Sequence, residues 1–334
     1  LLFLNGSPKP LTTSVLLSAK ASSDPSRFAY ITHEQETLNV HVQDDTLLKD
    51  RKVFSQPFQS KNTYHLSWSS DDQYLLLEER SIKSTYTLLD VRLNAQIKLP
   101  FKEVTGVHFD IGSPHHLFYQ QNKMWNIFDP ETNAVIPKKI SADDLRSADG
   151  KFITIQSTNQ SVVSYLDESG IASIIAYLPL GNYRFSRSQH PFITLTETTH
   201  KRVVVLDPSQ KEPLRLNEPA LFYAWSEKEA LVLLSDGFDT KIFHAMTGDV
   251  QTITRFSESI RALGWYPLHD EILFAQKDNI YGLELDDRDT RNQTKLVEGY
   301  SVETFWISKD GSSLFFFGKD MHGTYGVYER KLQK

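Results

Sequence analysis

The sequence predicts an all-β fold, a single β-propeller domain of eight four-stranded blades over residues 1–334. Three observations carry this expectation. An aromatic or apolar anchor followed by Ser-x-Asp-(Asp/Gly) and a short apolar run recurs about every forty residues. A period of that size, with several short strands in each copy, marks a propeller whose copies are its blades. No segment keeps a helical apolar period over three turns, so almost no helix is expected.

The anchors fall near Ala21, Trp68, Phe109, Arg146, Phe185, Trp225, Trp265 and Ile307. The two clearest copies are Trp68-Ser69-Ser70-Asp71-Asp72 and Ile307-Ser308-Lys309-Asp310-Gly311; Ala21 is the weakest. An inner strand ends at each anchor, and Ser, Asp and Gly form a tight turn behind it. The second strands are nearly all apolar: Phe28–Ile31, Tyr74–Leu77, His116–Tyr119, Phe152–Ile155, Phe192–Leu195, Leu231–Leu234, Ile272–Phe274 and Leu314–Phe317. Short continuous apolar runs between turn residues suit strands buried on both faces.

Third strands alternate more and end in an acid: Asp90, Asp129, Asp167, Asp207 and Asp286. An Asp at that point can accept backbone N–H groups two residues on and start the hairpin to the fourth strand. Fourth strands such as Ala95–Leu99 and Val250–Ile253 are short and polar, as outer edges should be.

The last unit has room for three strands only, the third around Tyr325-Gly326-Val327-Tyr328, while Leu1–Leu4 is an apolar strand without a partner upstream. Both features are explained if the N-terminal strand completes the last blade. The alternative is seven blades, with the residues before Tyr64 forming a cap.

Composition excludes several classes of function. Charge is −6 with acids and bases interspersed, so no basic face for nucleic acid is expected. The absence of cysteine removes disulfides, thiol catalysis and zinc–thiolate sites. No apolar run is long enough to span a bilayer. The chain opens Leu1-Leu2-Phe3-Leu4 without an initiator Met, which reads as a fragment or processed form with any anchor upstream.

No catalytic residue, metal site or cofactor is expected. A nucleophile elbow of the G-x-S-x-G kind is absent. The histidines are scattered, with neither H-x-H nor H-x-x-x-H spacing, and the one adjacent pair, His115-His116, reads as packing or strand-edge hydrogen bonding. The run Asp286-Asp287-Arg288-Asp289-Thr290-Arg291-Asn292 lacks the Gly and distal Glu of a calcium loop and reads as a solvated turn. Aromatic residues are read as core filling. The sequons at Asn5, Asn159 and Asn292 are near chance frequency.

Candidate binding residues lie instead in the loops between second and third strands, which rim one mouth of a propeller. The longer of these loops offer Arg80, Ile82 and Lys83, then His200, then Asp236, Phe238 and Asp239, then Met321 and His322. Ile82, Phe238 and Met321 are apolar tips that can seed a binding patch.

The motif copies at Trp68, Trp225-Ser226-Glu227 and Ile307 resemble the W-S-x-D-G blade signature of TolB-like propellers. That signature is shared with the N-terminal propellers of the dipeptidyl peptidase IV and prolyl oligopeptidase families. The pattern is also similar to propellers that follow PEGA domains in bacterial envelope proteins. The resemblance implies an extracytoplasmic module, periplasmic or at the cell surface, and transfers no catalytic residue. The expected function is a non-catalytic scaffold, monomeric, that binds a protein or peptide partner and inserts in no membrane. The alternative is a propeller enzyme of lyase or lactonase type with a metal in its central channel.

Overall fold

The computed structural model describes residues 3–4, 7–12, 15–23, 27–44, 49–148, 150–167, 169–188, 191–226, 228–268, 270–286 and 291–333. Outside these lie Leu1, Leu2 and Asn5 of the N-terminal strand, Glu227 of the third motif copy, and Asp287–Thr290 of the solvated turn. Among the described residues there is no helix, and the strands form eight sheets.

Each sheet is an antiparallel meander of strands in chain order. The first contains Val15–Ala21, Arg27–Glu34, Thr37–Asp44 and Lys49–Pro57, and the second Thr63–Trp68, Tyr74–Arg80, Ser84–Asp90 and Ala95–Ile97. The third contains Thr105–Phe109, Leu117–Gln121, Met124–Asp129 and Ala134–Pro137, and the fourth Asp144–Ala148, Lys151–Ser157, Ser161–Leu166 and Ala172–Leu178. Tyr183–Ser186, Ile193–Glu197, Arg202–Leu206 and Leu214–Pro219 make the fifth; Phe222–Trp225, Leu231–Ser235, Asp239–His244 and Val250–Arg255 make the sixth. The seventh is Ile260–Trp265, Glu271–Gln276, Asn279–Glu284 and Gln293–Glu298.

The eighth sheet holds Ser301–Ile307, Ser313–Lys319 and Tyr325–Gln333, and the N-terminal strand Phe3–Leu4 pairs with its third strand, Phe3 opposite Gln333 and Leu4 opposite Leu332. Lys9–Pro10 pairs further along the same strand, opposite Glu329 and Tyr328. The seven-bladed alternative is corrected, because residues 15–57 form a complete four-stranded sheet and not a cap.

The chain packs as two compact units. One combines Leu1–Ser60 with Ala220–Lys334, and the other is Lys61–Pro219. In both, the second strands are the core. Leu75, Leu117, Ile153 and Leu195 are buried in the contiguous unit, and Ile31, Leu233, Phe274 and Phe316 in the other. The outer strand Ala134–Pro137 is exposed along its length although its residues are apolar, a departure from the polar edge expected of fourth strands.

The recurrent motif closes the turn between first and second strands. Ser69 Oγ accepts the N–H of Tyr74 at 2.9 Å and donates to Asp71 Oδ1 at 2.6 Å, while Gln73 N–H donates to Asp71 Oδ1 at 3.2 Å. The fifth position has left-handed backbone, with φ +57° at Asp72 and +70° at Gly311, which is why Asp or Gly stands there. The acids ending the third strands cap the next turn as anticipated. Asp90 Oδ1 accepts the N–H groups of Arg92 and Leu93, Asp129 Oδ1 that of Glu131, and Asp207 Oδ1 that of Ser209.

Candidate functional site

Within the unit of residues 61–219 a cleft of about 350 Å³ opens across four successive sheets, the second to the fifth. Arg80 and Glu78 reach it from the strand Tyr74–Arg80, and Tyr86 from the strand beside it. Gly106, Val107, His108 and Phe109 come from the inner strand of the third sheet, with Ile111 just beyond. Asp144 and Arg146 come from the inner strand of the fourth sheet, Arg184 and Phe185 from that of the fifth.

Three guanidinium groups therefore converge on one opening, in a chain whose net charge is −6. Arg80 donates to Glu78 Oε2 at 2.8 Å and its side chain is half exposed. Arg146 donates to Ser188 Oγ at 3.1 Å, and its guanidinium lies over the Phe185 ring, 5.7 Å from the centroid. Arg184 is exposed and donates to the backbone carbonyl of Asp143 at 2.6 Å.

The two carboxylates of the cleft are turned toward the protein. Asp144 Oδ2 accepts the Phe185 N–H at 2.8 Å and Oδ1 the Leu145 N–H at 3.0 Å. Burial works to raise the Glu78 carboxyl, but the Arg80 guanidinium and the Ser84 hydroxyl outweigh it and hold the group below the ordinary range. His108 places Nδ1 3.0 Å from Gly106 O and Nε2 3.1 Å from Leu145 O. Gly106 has φ +62°, and a Cβ there would meet the buried Trp125 ring at 2.9 Å, so the cleft floor can pass over that indole only as glycine.

A second cavity, about 250 Å³, lies in the first sheet beside Pro10, Leu11 and Thr12 and contains Tyr30, His41 and Asp50. The rings of Tyr30 and His41 stack at 4.8 Å, and His41 Nδ1 stands 3.5 Å from Asp50. Burial, followed by the Asp50 charge, raises the Tyr30 phenol well above its ordinary value. Tyr30 is thus a proton-bearing hydrogen-bond donor and is poorly suited to act as a nucleophile.

Of the nine rim residues singled out in the sequence, Arg80 alone lines the cleft. Ile82 is fully exposed, and Lys83 Nζ pairs with Glu103 at 2.8 Å on the surface. His200 belongs to a turn organised by the buried Glu197, whose carboxylate accepts N–H groups from Asn182, Thr199 and His200 and also the His200 ring. In the other unit Asp236 shapes its own turn by accepting the N–H groups of Phe238 and Asp239 at 2.9 and 2.8 Å, and Asp239 faces Arg255 at 3.6 Å. Phe238 and Met321 are exposed at 46% and 80%, on loops of the sixth and eighth sheets. The N–H of His322 donates to Asp320 Oδ1 at 2.9 Å.

Sequence reasoning missed Arg146 and Arg184 as site residues. Their signal was a charged side chain at or beside an anchor position that other copies fill with an aromatic residue. It also read His115-His116 as packing, whereas His115, His116 and Asp129 bring ligand-type atoms within 4.8 Å of one another.

No protein-family model matches the chain, and no curated protein does. Solved structures do. The C-terminal WD40 domain of Sif2 is similar over 99% of this chain and 98% of its own, at 11% identity and a TM-score of 0.59. The Dos1 propeller matches over 99% and 95% at 14% identity and a TM-score of 0.61. Sqt1 of Saccharomyces cerevisiae matches over 99% and 100% at 7% identity and a TM-score of 0.62. The likeness shows the fold: an all-β propeller of eight four-stranded antiparallel blades, similar to solved WD40 propellers. The narrower TolB-like membership finds no support in these comparisons. No helix among the described residues is long and apolar enough to cross a membrane.

Proposed function

We propose that the protein is a non-catalytic interaction scaffold whose cleft in residues 61–219 receives an acidic peptide segment of a protein partner. The observation that supports this most directly is the convergence of Arg80, Arg146 and Arg184 from three different sheets, with Phe185 and Phe109 among them. Guanidinium groups match carboxylates in a planar, two-point fashion, and aromatic faces between them suit the aliphatic stems of a peptide. The carboxylates of the cleft itself are occupied by Arg80 and by backbone N–H groups, which leaves the basic character of the opening dominant. WD40 propellers as solved structures supply the rigid frame on which such a cleft can be presented.

Fluorescence anisotropy with labelled Glu- and Asp-rich peptides, against neutral and Lys-rich peptides of equal length, tests the reading. Acidic peptides should bind selectively and more weakly as salt rises. Arg184→Ala and Arg80→Ala should each weaken binding about tenfold or more, since hydrogen bonds to charged groups carry ~1.5–3 kcal/mol. Equal binding of acidic and basic peptides, or full binding by the double variant, sinks the proposal. The resemblance of the motif to TolB-like and PEGA-associated propellers extends the proposal to an extracytoplasmic, cell-envelope setting, which fractionation of the source cells tests.

A further inference from the structure

His115 stands in the turn after the inner strand of the third sheet, and carboxylates face both of its ring nitrogens. Asp71 Oδ2 lies 3.4 Å from Nδ1; Asp129 Oδ1 and Glu131 Oε2 each lie 3.8 Å from Nε2. His116, the next residue, places a ring nitrogen nearby, so that His115, His116 and Asp129 hold three ligand-type atoms within 4.8 Å of one another. The side chains of His115, Asp71 and Asp129 are all less than one fifth exposed.

The geometry on the two sides of the ring differs. Asp71 is held in place, because Ser69 Oγ and the Gln73 N–H donate to its Oδ1. Its turn is tied to that of His115: Asp71 N–H donates to Pro114 O at 3.3 Å, and Ser70 Oγ to Pro114 O at 3.1 Å. Asp71 thus faces Nδ1 from a fixed position, while Nε2 faces Asp129 and Glu131. A carboxylate that orients the distal nitrogen of an imidazole in this way is the usual second partner of a metal-bound histidine. On the Nε2 side the gap of 3.8 Å is too long for a hydrogen bond. With metal–nitrogen and metal–oxygen bonds of about 2.1 Å, a cation spanning it would be bonded at an angle of roughly 130°, so only a small closing movement reaches tetrahedral geometry.

We propose that His115, His116 and Asp129, with Glu131 as fourth ligand and Asp71 as the orienting carboxylate, form a binding site for a divalent transition cation of the zinc type. Two imidazoles with carboxylates favour zinc, nickel or copper over calcium and magnesium, which take oxygen ligands. The site joins the turn of one blade to that of the next, Asp71 lying in a turn between strands of the second sheet, His115, His116 and Glu131 in turns of the third, and Asp129 at the end of its third strand. Its expected effect is therefore to fasten two adjacent blades. Nothing in it depends on the arginine cleft.

The test uses the full chain without a histidine tag, stripped with chelator and then equilibrated with zinc sulfate. Metal analysis after gel filtration should find one zinc per chain, and zinc in hundredfold excess over Kd should raise Tm by about 4 °C. His115→Gln should abolish stoichiometric retention, and Asp71→Asn should weaken zinc affinity 10–100-fold while leaving the stoichiometry at saturation unchanged. Cobalt substituted for zinc should give the visible absorption of a tetrahedral nitrogen–oxygen site, lost in His115→Gln. Should that variant fail to fold, Glu131→Gln, on a half-exposed side chain, should still weaken zinc binding. The proposal is overturned if the wild-type chain retains no zinc, or if His115→Gln or Glu131→Gln binds it as tightly as wild type.

Discussion

Ser308 donates its hydroxyl hydrogen to Asp310 Oδ1 across 2.7 Å, and the same Oγ accepts the backbone N–H of Ser313 at 2.9 Å. Ser69 and Asp71 repeat the arrangement at 2.6 and 2.9 Å, in a different sheet and a different packing unit. The hydroxyl is thus both donor and acceptor at a turn whose serine is buried. It supplies the partner that the first N–H of the second strand would otherwise lack.

Replacing Ser308 with Ala should therefore destabilise the protein by about 1–3 kcal/mol, the cost of leaving a buried N–H without an acceptor. Urea unfolding of S308A and wild type gives the comparison. An unchanged midpoint would mean that water replaces the hydroxyl.

Glu197 should govern part of the acid stability. Burial works to raise its carboxyl, but N–H groups of His200, Asn182 and Thr199 outweigh it and hold the group at about 2, below its ordinary value of 4.5. A carboxyl with a depressed folded-state value stabilises fully above the unfolded value, and the contribution disappears as pH falls from there through the folded one. The stability gap between wild type and Glu197→Gln should be constant near neutrality and shrink between pH 4.5 and about 2. Tm measured against pH checks this; a gap that stays constant down to pH 2.5 refutes it.

The apolar second strands, the Asx turns and the contribution of Phe3–Leu4 to the last sheet were all legible in the sequence. Each depends on near neighbours or on a periodicity that a linear reading can see. The arginine cleft was not legible. Arg80, Arg146 and Arg184 are far apart in the chain, and the register of three separate sheets decides that they share an opening. Asp236 and His200 differ from the arginines in that their main bonds are local, to backbone two or three residues away, and a polar loop residue that shapes its own turn looks the same in sequence as one that waits for a ligand.

Deleting residues 1–12 should lower Tm markedly, because it strips the strand Tyr325–Gln333 of its partners Phe3–Leu4 and Lys9–Pro10 and removes the Leu11 N–H bond to Val327 O. Thermal melts followed by circular dichroism read the effect. A Tm equal to wild type would show that the eighth sheet stands without these strands.

Substituting Ser for both Phe238 and Met321 should shift the unfolding midpoint little, since Met321 is largely exposed, Phe238 nearly half exposed, and Phe238 holds its place through backbone bonds, its carbonyl accepting the Phe256 N–H. Surface changes away from caps and cores stay within about 0.5 kcal/mol. A loss above 2 kcal/mol would reveal packing at these tips. If folding holds while partner capture falls, the rim joins the arginine cleft as a contact surface.

The pairing of Phe3 with Gln333 sets a timetable for biosynthesis. Residues 61–219 are consecutive and can assemble as they leave the ribosome, since domains form as units while synthesis proceeds. The other unit combines residues 1–60 with residues 220–334, so the strands Phe3–Leu4 and Lys9–Pro10 must wait until Tyr325–Gln333 has been translated. Strand edges left open over that interval are templates for stray pairing. Chaperone occupancy on the nascent chain would thus be concentrated on residues 3–12, which are made long before the strand they pair with.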